Sequence, residues 1–210
     1  MSRYFIATSF LILTVVSLSA CGVVQEKIKI NEIHHVKTSA NKNIIVNIKS
    51  VVDSRSFVLN GDEPSIPQLA TVEKIKPSLT ATAVAQIRSL SGTTIADIFT
   101  EREVITIVKE AIEESFKRAG YTVSESTTDT IPIDVNVVRF WAYNTGSWVF
   151  KFNFTITVEI NGDLPVLQNT KTFSTSITLS SAWVASSRSY RNTISKGMDK
   201  FILELAPHLE

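Results

Sequence analysis

Apolar and polar side chains alternate most regularly along Phe150-Lys151-Phe152-Asn153-Phe154-Thr155-Ile156-Thr157-Val158-Glu159-Ile160. A period of two sends successive side chains to opposite faces of a strand, so Trp148–Ile160 is predicted to be a strand with one buried and one solvated face. Ile131–Tyr143 and Thr170–Leu179 alternate in the same way. Their links, Asn144-Thr145-Gly146-Ser147 and Asn161-Gly162-Asp163, carry hairpin turn residues, and the three strands therefore read as an antiparallel meander. Upstream, the β-branched run Ile44–Val52 predicts a further strand that ends at Asp53-Ser54-Arg55.

A different period governs two other stretches. Val104, Ile107, Val108, Ala111, Ile112, Ser115, Phe116 and Ala119 recur at helical spacing, with Lys109, Glu110, Glu113, Glu114 and Lys117 off that face. Thr100-Glu101-Arg102-Glu103 reads as a capping box before this helix, and Gly120 as its left-handed cap. The second helix is expected over Ser187–Leu205, with Tyr190, Ile194, Met198, Phe201, Ile202 and Leu205 on one face and Pro207 ending it. Residues 60–98 break the pattern at Gly61, Pro64, Pro67 and Pro77 and are expected to form a partly ordered insertion. The expected fold is α+β: a four-stranded, mostly antiparallel sheet with two amphipathic helices on one face, in the order β, insertion, α, β, β, β, α.

The first residues change the picture from fold to address. Arg3 precedes the apolar run Phe5–Val16 and the small residues Ser17–Ala20, the organisation of a secretory signal peptide over residues 1–20. That run falls short of the roughly 20 residues a membrane-spanning helix needs. Leu18-Ser19-Ala20-Cys21-Gly22 has the form of a lipobox, with the chain's only cysteine at the cleavage position. Cys21 is therefore expected to carry diacylglycerol and an N-acyl chain such as palmitate, the only covalent group the chain calls for; no cofactor or metal is expected. Two or three acyl chains exceed the threshold for stable anchoring, at about 0.8 kcal/mol for each buried methylene. Gly22, where an aspartate would favour inner-membrane retention, points to the periplasmic face of the outer membrane. Residues 21–42 then read as a lipidated tether and 43–206 as a single periplasmic domain.

Charge narrows the partners. Loss of Arg3 with the signal leaves as many basic as acidic side chains. A neutral, mixed surface argues against nucleic acid and against electrostatic docking on anionic lipid.

The lipobox, a strand ending Val52-Asp53-Ser54-Arg55, a helix ending Phe116-Lys117-Arg118-Ala119-Gly120-Tyr121, the meander and the terminal helix together resemble the YajG family of uncharacterised bacterial lipoproteins. The likeness covers most of residues 44–205 and departs at Gly61–Ile98. It implies a small envelope lipoprotein, similar in fold to the lipopolysaccharide-assembly lipoprotein and to auxiliary lipoproteins of lipid-transport systems; a fold does not carry a function.

Catalytic chemistry is not expected. His34, His35 and His208 lie in the tether and at the chain end, and no nucleophile elbow, phosphate loop or dinucleotide fingerprint is present. Glu113-Glu114 and Asp62-Glu63 read as solvated charge. Two features are candidate partner contacts. Trp141, Tyr143 and Trp148 flank one hairpin turn; the plainer role of these rings is that alternate ones fill the core under the helices, which leaves Trp141 and Trp148 as the candidates for the exposed side, and Asp53 and Arg55 end the first strand with a surface ion pair as their plainer role. The expected function is a non-catalytic accessory or adaptor that binds another cell-envelope component; the alternative is a carrier of a lipid or other apolar ligand. A carrier needs an apolar cavity, an adaptor a filled core and an exposed patch or edge.

Overall fold

The computed structural model describes residues 23–30, 33, 42–70, 72–89, 91–126, 128–146, 149–181 and 185–210. The signal peptide, Cys21, His34, His35 and Trp148 lie outside these residues. In chain order the elements are β1 (Val24–Ile28), β2 (Ile45–Asp53), β3 (Val58–Leu59), β4 (Gln68–Leu69), α1 (Pro77–Thr80), β5 (Ala83–Arg88), β6 (Thr94–Thr100) and α2 (Val104–Arg118). They continue with β7 (Thr122–Val123), β8 (Ile131–Thr145), β9 (Phe150–Gly162), β10 (Lys171–Ser181) and α3 (Ser187–Leu205).

The fold is α+β, but its main sheet has eight strands and is mixed, where four mostly antiparallel strands were expected. The meander β8–β9–β10 is antiparallel throughout. β2 lies parallel to β8, because the chain between them crosses over through α2 rather than turning in a hairpin. On its other side β8 is flanked by two strands in succession. β2 pairs with residues 131–137 and β5 with Ala142 and Tyr143, and β5 leads on to β6 and β1.

Two expectations about the chain are corrected by this fork. Residues 60–98, read as an insertion, contribute β5 and β6 to the main sheet, and every residue of β5 is buried. The tether reading fails for β1, which pairs in parallel with β6 and sends Ile28 and Ile30 into the core. The remainder of the expected insertion, with Phe57, folds as a strap over the outer face of the sheet. There Leu69, Ala83 and Phe99 make a small second core.

α2 and α3 pack on the opposite face, as their periodicity requires. Val104, Ile107, Val108, Ala111, Ile112 and Phe116 of α2 are buried, as are Tyr190, Ile194, Met198, Phe201, Ile202 and Leu205 of α3. Burying each large apolar side chain contributes about 1.5–3 kcal/mol. The helix starts differ in mechanism. Ser186 caps α3, its hydroxyl accepting from the Ser189 amide. The expected capping box of α2 does not form: Thr100 belongs to β6 and its hydroxyl donates to the Thr82 and Arg102 carbonyls, so α2 begins after Glu103 without a side-chain cap. The other end matches expectation. Gly120 adopts φ +90°, and the Gly120 and Tyr121 amides donate to the Lys117 and Phe116 carbonyls, a Schellman closure. No helix among the described residues is long and apolar enough to cross a membrane.

Candidate functional site

The first expected contact pair proves to be architectural. β2 leaves β8 at Val137 and β5 joins it at Ala142, which leaves a stretch of β8 without a strand neighbour on that side. Arg55 fills the gap. Its Nη1 donates to the Ala83 and Phe140 carbonyls at 2.7 and 3.2 Å, and its Nη2 to Thr80 O at 2.5 Å. Nε and Nη2 each donate to one Asp53 carboxylate oxygen at 2.8 Å. All five guanidinium N–H groups are engaged and the side chain has no exposed surface, so Asp53–Arg55 is a buried clamp rather than a surface ion pair.

Trp141 is likewise buried, not exposed. The strap covers it: its Nε1 donates to Pro64 O at 3.0 Å, and Phe57 packs edge-on against the indole. Tyr143 is half-buried. The adjacent carboxylates also separate, for Glu114 is fully buried and paired with Arg118 at 2.9 Å, contrary to its reading as solvated charge.

A polar network that sequence reasoning missed ties strap, sheet and α3 together. Arg88 donates to the carbonyls of Gly61 and Asp62 and to Oε1 of Gln86 and Gln68. Gln86 donates to Asp97, whose other oxygen accepts from the Ala70 amide. Asn144 bonds both backbone groups of Arg88, and its Oδ1 lies 2.6 Å from the Tyr190 hydroxyl, which is also 2.9 Å from Gln86 O. Burial pushes the Tyr190 hydroxyl far above the ordinary phenol range; the bond at Asn144 and the positive charge of Arg88 oppose this only in part. Each member of this network is satisfied and inward-facing, which makes it structural. Among the described residues no group of His, Cys, Asp and Glu converges to hold a metal ion.

The longest open edge of the sheet among the described residues is β10. Among the described residues β10 pairs with β9 alone, so its eleven residues present a row of backbone groups without a strand neighbour. Alternation puts Thr172, Ser174, Ser176 and Thr178 on the outer, exposed face. Three of them bond across to β9, at Thr157, Thr155 and Asn153. The inner face turns toward α3. There Phe173, Thr175, Phe201, Glu204, Leu205, Pro207 and His208 line a groove of about 520 Å³ beside the first half of the strand. Thr175 Oγ1 donates to Glu204 at 2.7 Å, and the His208 ring lies 5.8 Å from that of Phe173. Further along, Lys200 Nζ donates to Ser176 O at 2.9 Å, so one basic side chain guards the middle of the edge. An edge with an adjoining groove suits an extended peptide, whose backbone would pair with β10 while alternate side chains enter the groove.

No family model matches the chain, and no curated protein sequence does. Solved structures do resemble it in fold. A crystal structure of a Xanthomonas campestris protein from family DUF330 superposes with a TM-score of 0.52 at 7% identity, over 87% of this chain and 94% of that one. A second, described only as an uncharacterized protein, gives 0.47 at 9% over 88% and 100%. A third, proposed to be a lipoprotein of Caulobacter crescentus, gives 0.28 at 9% over 50% and 82%.

Proposed function

We propose that this protein is a non-catalytic lipoprotein, anchored through Cys21 to the periplasmic face of the outer membrane, that acts as an adaptor by adding an extended segment of another envelope protein to β10. The observation that carries this reading is the eleven-residue edge beside a groove half lined by apolar groups. Hydrogen bonds along such an edge contribute about 1 kcal/mol each net, so several in register make a usable affinity without any large pocket. The carrier reading has less support, because Phe116, Phe140, Phe152, Phe154, Tyr190 and Phe201 fill the space between sheet and helices. Membership of the YajG family rests on the Val52–Arg55 and Phe116–Tyr121 signatures and belongs to the same proposal.

The test is crosslinking in cells from photo-reactive residues at Thr172 and Ser174, with Glu125 as a control far from the edge. Ser176 offers the second arm. Its carbonyl faces Lys200, so its backbone groups point away from β9, and Ser176→Pro removes an outward N–H without breaking the β9 ladder. A protein adduct from Thr172 and Ser174 that disappears in Ser176→Pro supports strand addition. An adduct untouched by the proline, or equal capture from Glu125, overturns it. The mass of the N-terminal peptide separately reports whether Cys21 is acylated.

A further inference from the structure

The registers place one set of chain segments at a single end of the sheet. β1 starts there, since Val24 lies beside Ala96 near the start of β6. The β5–β6 turn is at that end, with Arg88 opposite Thr94, and so is the β8–β9 turn, with Thr145 opposite Lys151. β10 finishes there with Ser181 opposite Phe150, and α3 sets out from it six residues later. Only Gly22 and Val23 separate Cys21 from Val24. At 3.3–3.6 Å per residue, those three steps span about 10 Å. A lipid on Cys21 therefore keeps the start of β1, and the edge of the sheet that β1 forms, near the bilayer.

Further along the β1 edge, where Lys27 and Ile28 lie beside Phe99 and Thr100, is a feature that overall neutrality conceals. Lys27 and Lys29 of the β1 segment and Arg188 and Arg191 of the first two turns of α3 line one groove of about 320 Å³ with Ile28 and Ser187. No carboxylate lines it. Glu101 stands in the neighbouring hollow, which Lys29 shares with Arg102. Among the described residues none of the four cations is in an ion pair. Lys27 is six residues from Cys21, so chain length keeps it within about 20 Å of the anchored sulfur. Nearer the anchor, Val24, Ile95 and Val149, exposed at 55%, 48% and 45%, put three apolar side chains at the end where β1 starts.

We infer that the Lys27–Lys29–Arg188–Arg191 groove is a headgroup-docking site, which takes the phosphates of the anionic bilayer that holds Cys21 and fixes the orientation of the domain on it. This rests on the lipid-anchor reading of Cys21. Basic side chains near an anionic surface each favour the docked state roughly fivefold, and the effect dies away within a Debye length of about 8 Å at physiological salt. Anchoring supplies the proximity; the four cations supply the orientation. With α3 turned to the lipid at its start, the groove at the far end of α3 and the first half of β10 stay in the aqueous space.

The experiment uses the lipidated mature protein in vesicles of phosphatidylglycerol with phosphatidylethanolamine, and in vesicles of phosphatidylcholine alone. Because Cys21 is the only cysteine and is blocked, a single introduced cysteine takes a spin label cleanly. One label goes at exposed Asn192, beside the groove, and one at Lys171, at the opposite end of β10. Relaxation by nickel chelated to lipid headgroups reports nearness to the surface. The expected result is several-fold greater relaxation at Asn192 than at Lys171 on the anionic vesicles only. Lys27→Gln with Arg188→Gln lowers the docked-to-undocked ratio roughly 25-fold, and Lys29→Gln alone roughly fivefold. Equal relaxation at the two labels on anionic vesicles, or a ratio unmoved by these exposed substitutions, overturns the inference. Failure of the anchor itself reads differently: the N-terminal peptide lacks acyl mass and the protein floats with neither kind of vesicle, and the docking inference falls with it.

Discussion

Arg55 donates to the Phe140 carbonyl at 3.2 Å at the point where β8 exchanges one neighbouring strand for another. The sheet can fork there only because a side chain satisfies carbonyls that no strand reaches. Removing it leaves three carbonyls short of a donor and the Asp53 carboxylate without its cation. Arg55→Ala is expected to destabilise the domain by about 3–5 kcal/mol, measured by urea unfolding, because a buried group that loses its partner keeps its desolvation cost. Arg55→Lys restores one charge but not the five-donor fork, and should recover less than half of the loss.

Arg88 holds the strap where Arg55 holds the fork. Its contacts to the Gly61 and Asp62 carbonyls and to Gln68 join the two-stranded strap to the buried strand β5. Arg88→Ala is expected to free residues 56–70 before the rest of the domain loosens, seen as faster amide exchange at Leu59 and Leu69 and proteolytic cutting near Ser65 while α2 and α3 stay protected. Simultaneous loss of protection everywhere would show that the strap is not a separate unit.

Tyr190 makes stability fall in alkali. Its hydroxyl titrates above the range of an unfolded tyrosine, near 10, because burial disfavours the phenolate. The native state then binds more protons than the unfolded state above that pH, so the contribution is complete below pH 10 and is lost as pH rises through and beyond it. The limiting slope is about 1.4 kcal/mol per pH unit. Urea unfolding between pH 9 and about 11 should show the decline in the native protein and a shallower one in Tyr190→Phe. That variant also gives up the bonds to Asn144 and Gln86, and so starts from a lower value at neutral pH.

Close approach of α3 to the sheet depends on Gly197. A Cβ there would stand 2.2 Å from Phe154 Cδ1 and 3.1 Å from Ile177 Cγ2. Alanine is the better helix former by about 1 kcal/mol, but overpacking of a filled core costs about 1–3 kcal/mol. Gly197→Ala is therefore expected to lower the melting temperature. A rise would mean that α3 lifts off Phe154 at no cost.

The legible parts of this fold were those where a single period runs long enough to be seen. α3 begins and ends where its apolar stripe does, and the alternation of Phe150 to Ile160 gives β9 its inner and outer faces. β5 was hidden for the opposite reason. Ala83-Val84-Ala85-Gln86-Ile87-Arg88 is buried on both faces, so it does not alternate, and its polar members are satisfied by Asp97, Asn144 and Gln68 from distant parts of the chain. β1 was hidden by composition, being a short edge strand in which polar Gln25, Glu26 and Lys27 separate the two apolar residues. Trp141 misled because half a polar strand face is no longer solvated once a strap folds over it, and nothing local to Trp141 announces Pro64 or Phe57. The β10 edge was visible as alternation; that no strand covers its far side is a fact of topology.

Lys200 decides how available that edge is. Its ammonium donates to Ser176 O and lies 3.5 Å from Glu204, which in turn accepts from Thr175, so a chain of polar contacts crosses the rim of the strand. A charged side chain over an open edge opposes pairing with a second copy of the same strand. Lys200→Ala should have little effect on stability, within about 0.5 kcal/mol for an exposed position, since the ion pair is solvent-screened. It is expected to raise self-association, read as a concentration-dependent rise in sedimentation coefficient, and Ser176→Pro in the same chain should abolish that rise by removing an outward N–H. A Lys200→Ala protein that stays monomeric at every concentration would mean that the edge is kept apart by something other than this side chain. In that case the strand-addition reading would lose its simplest form of control.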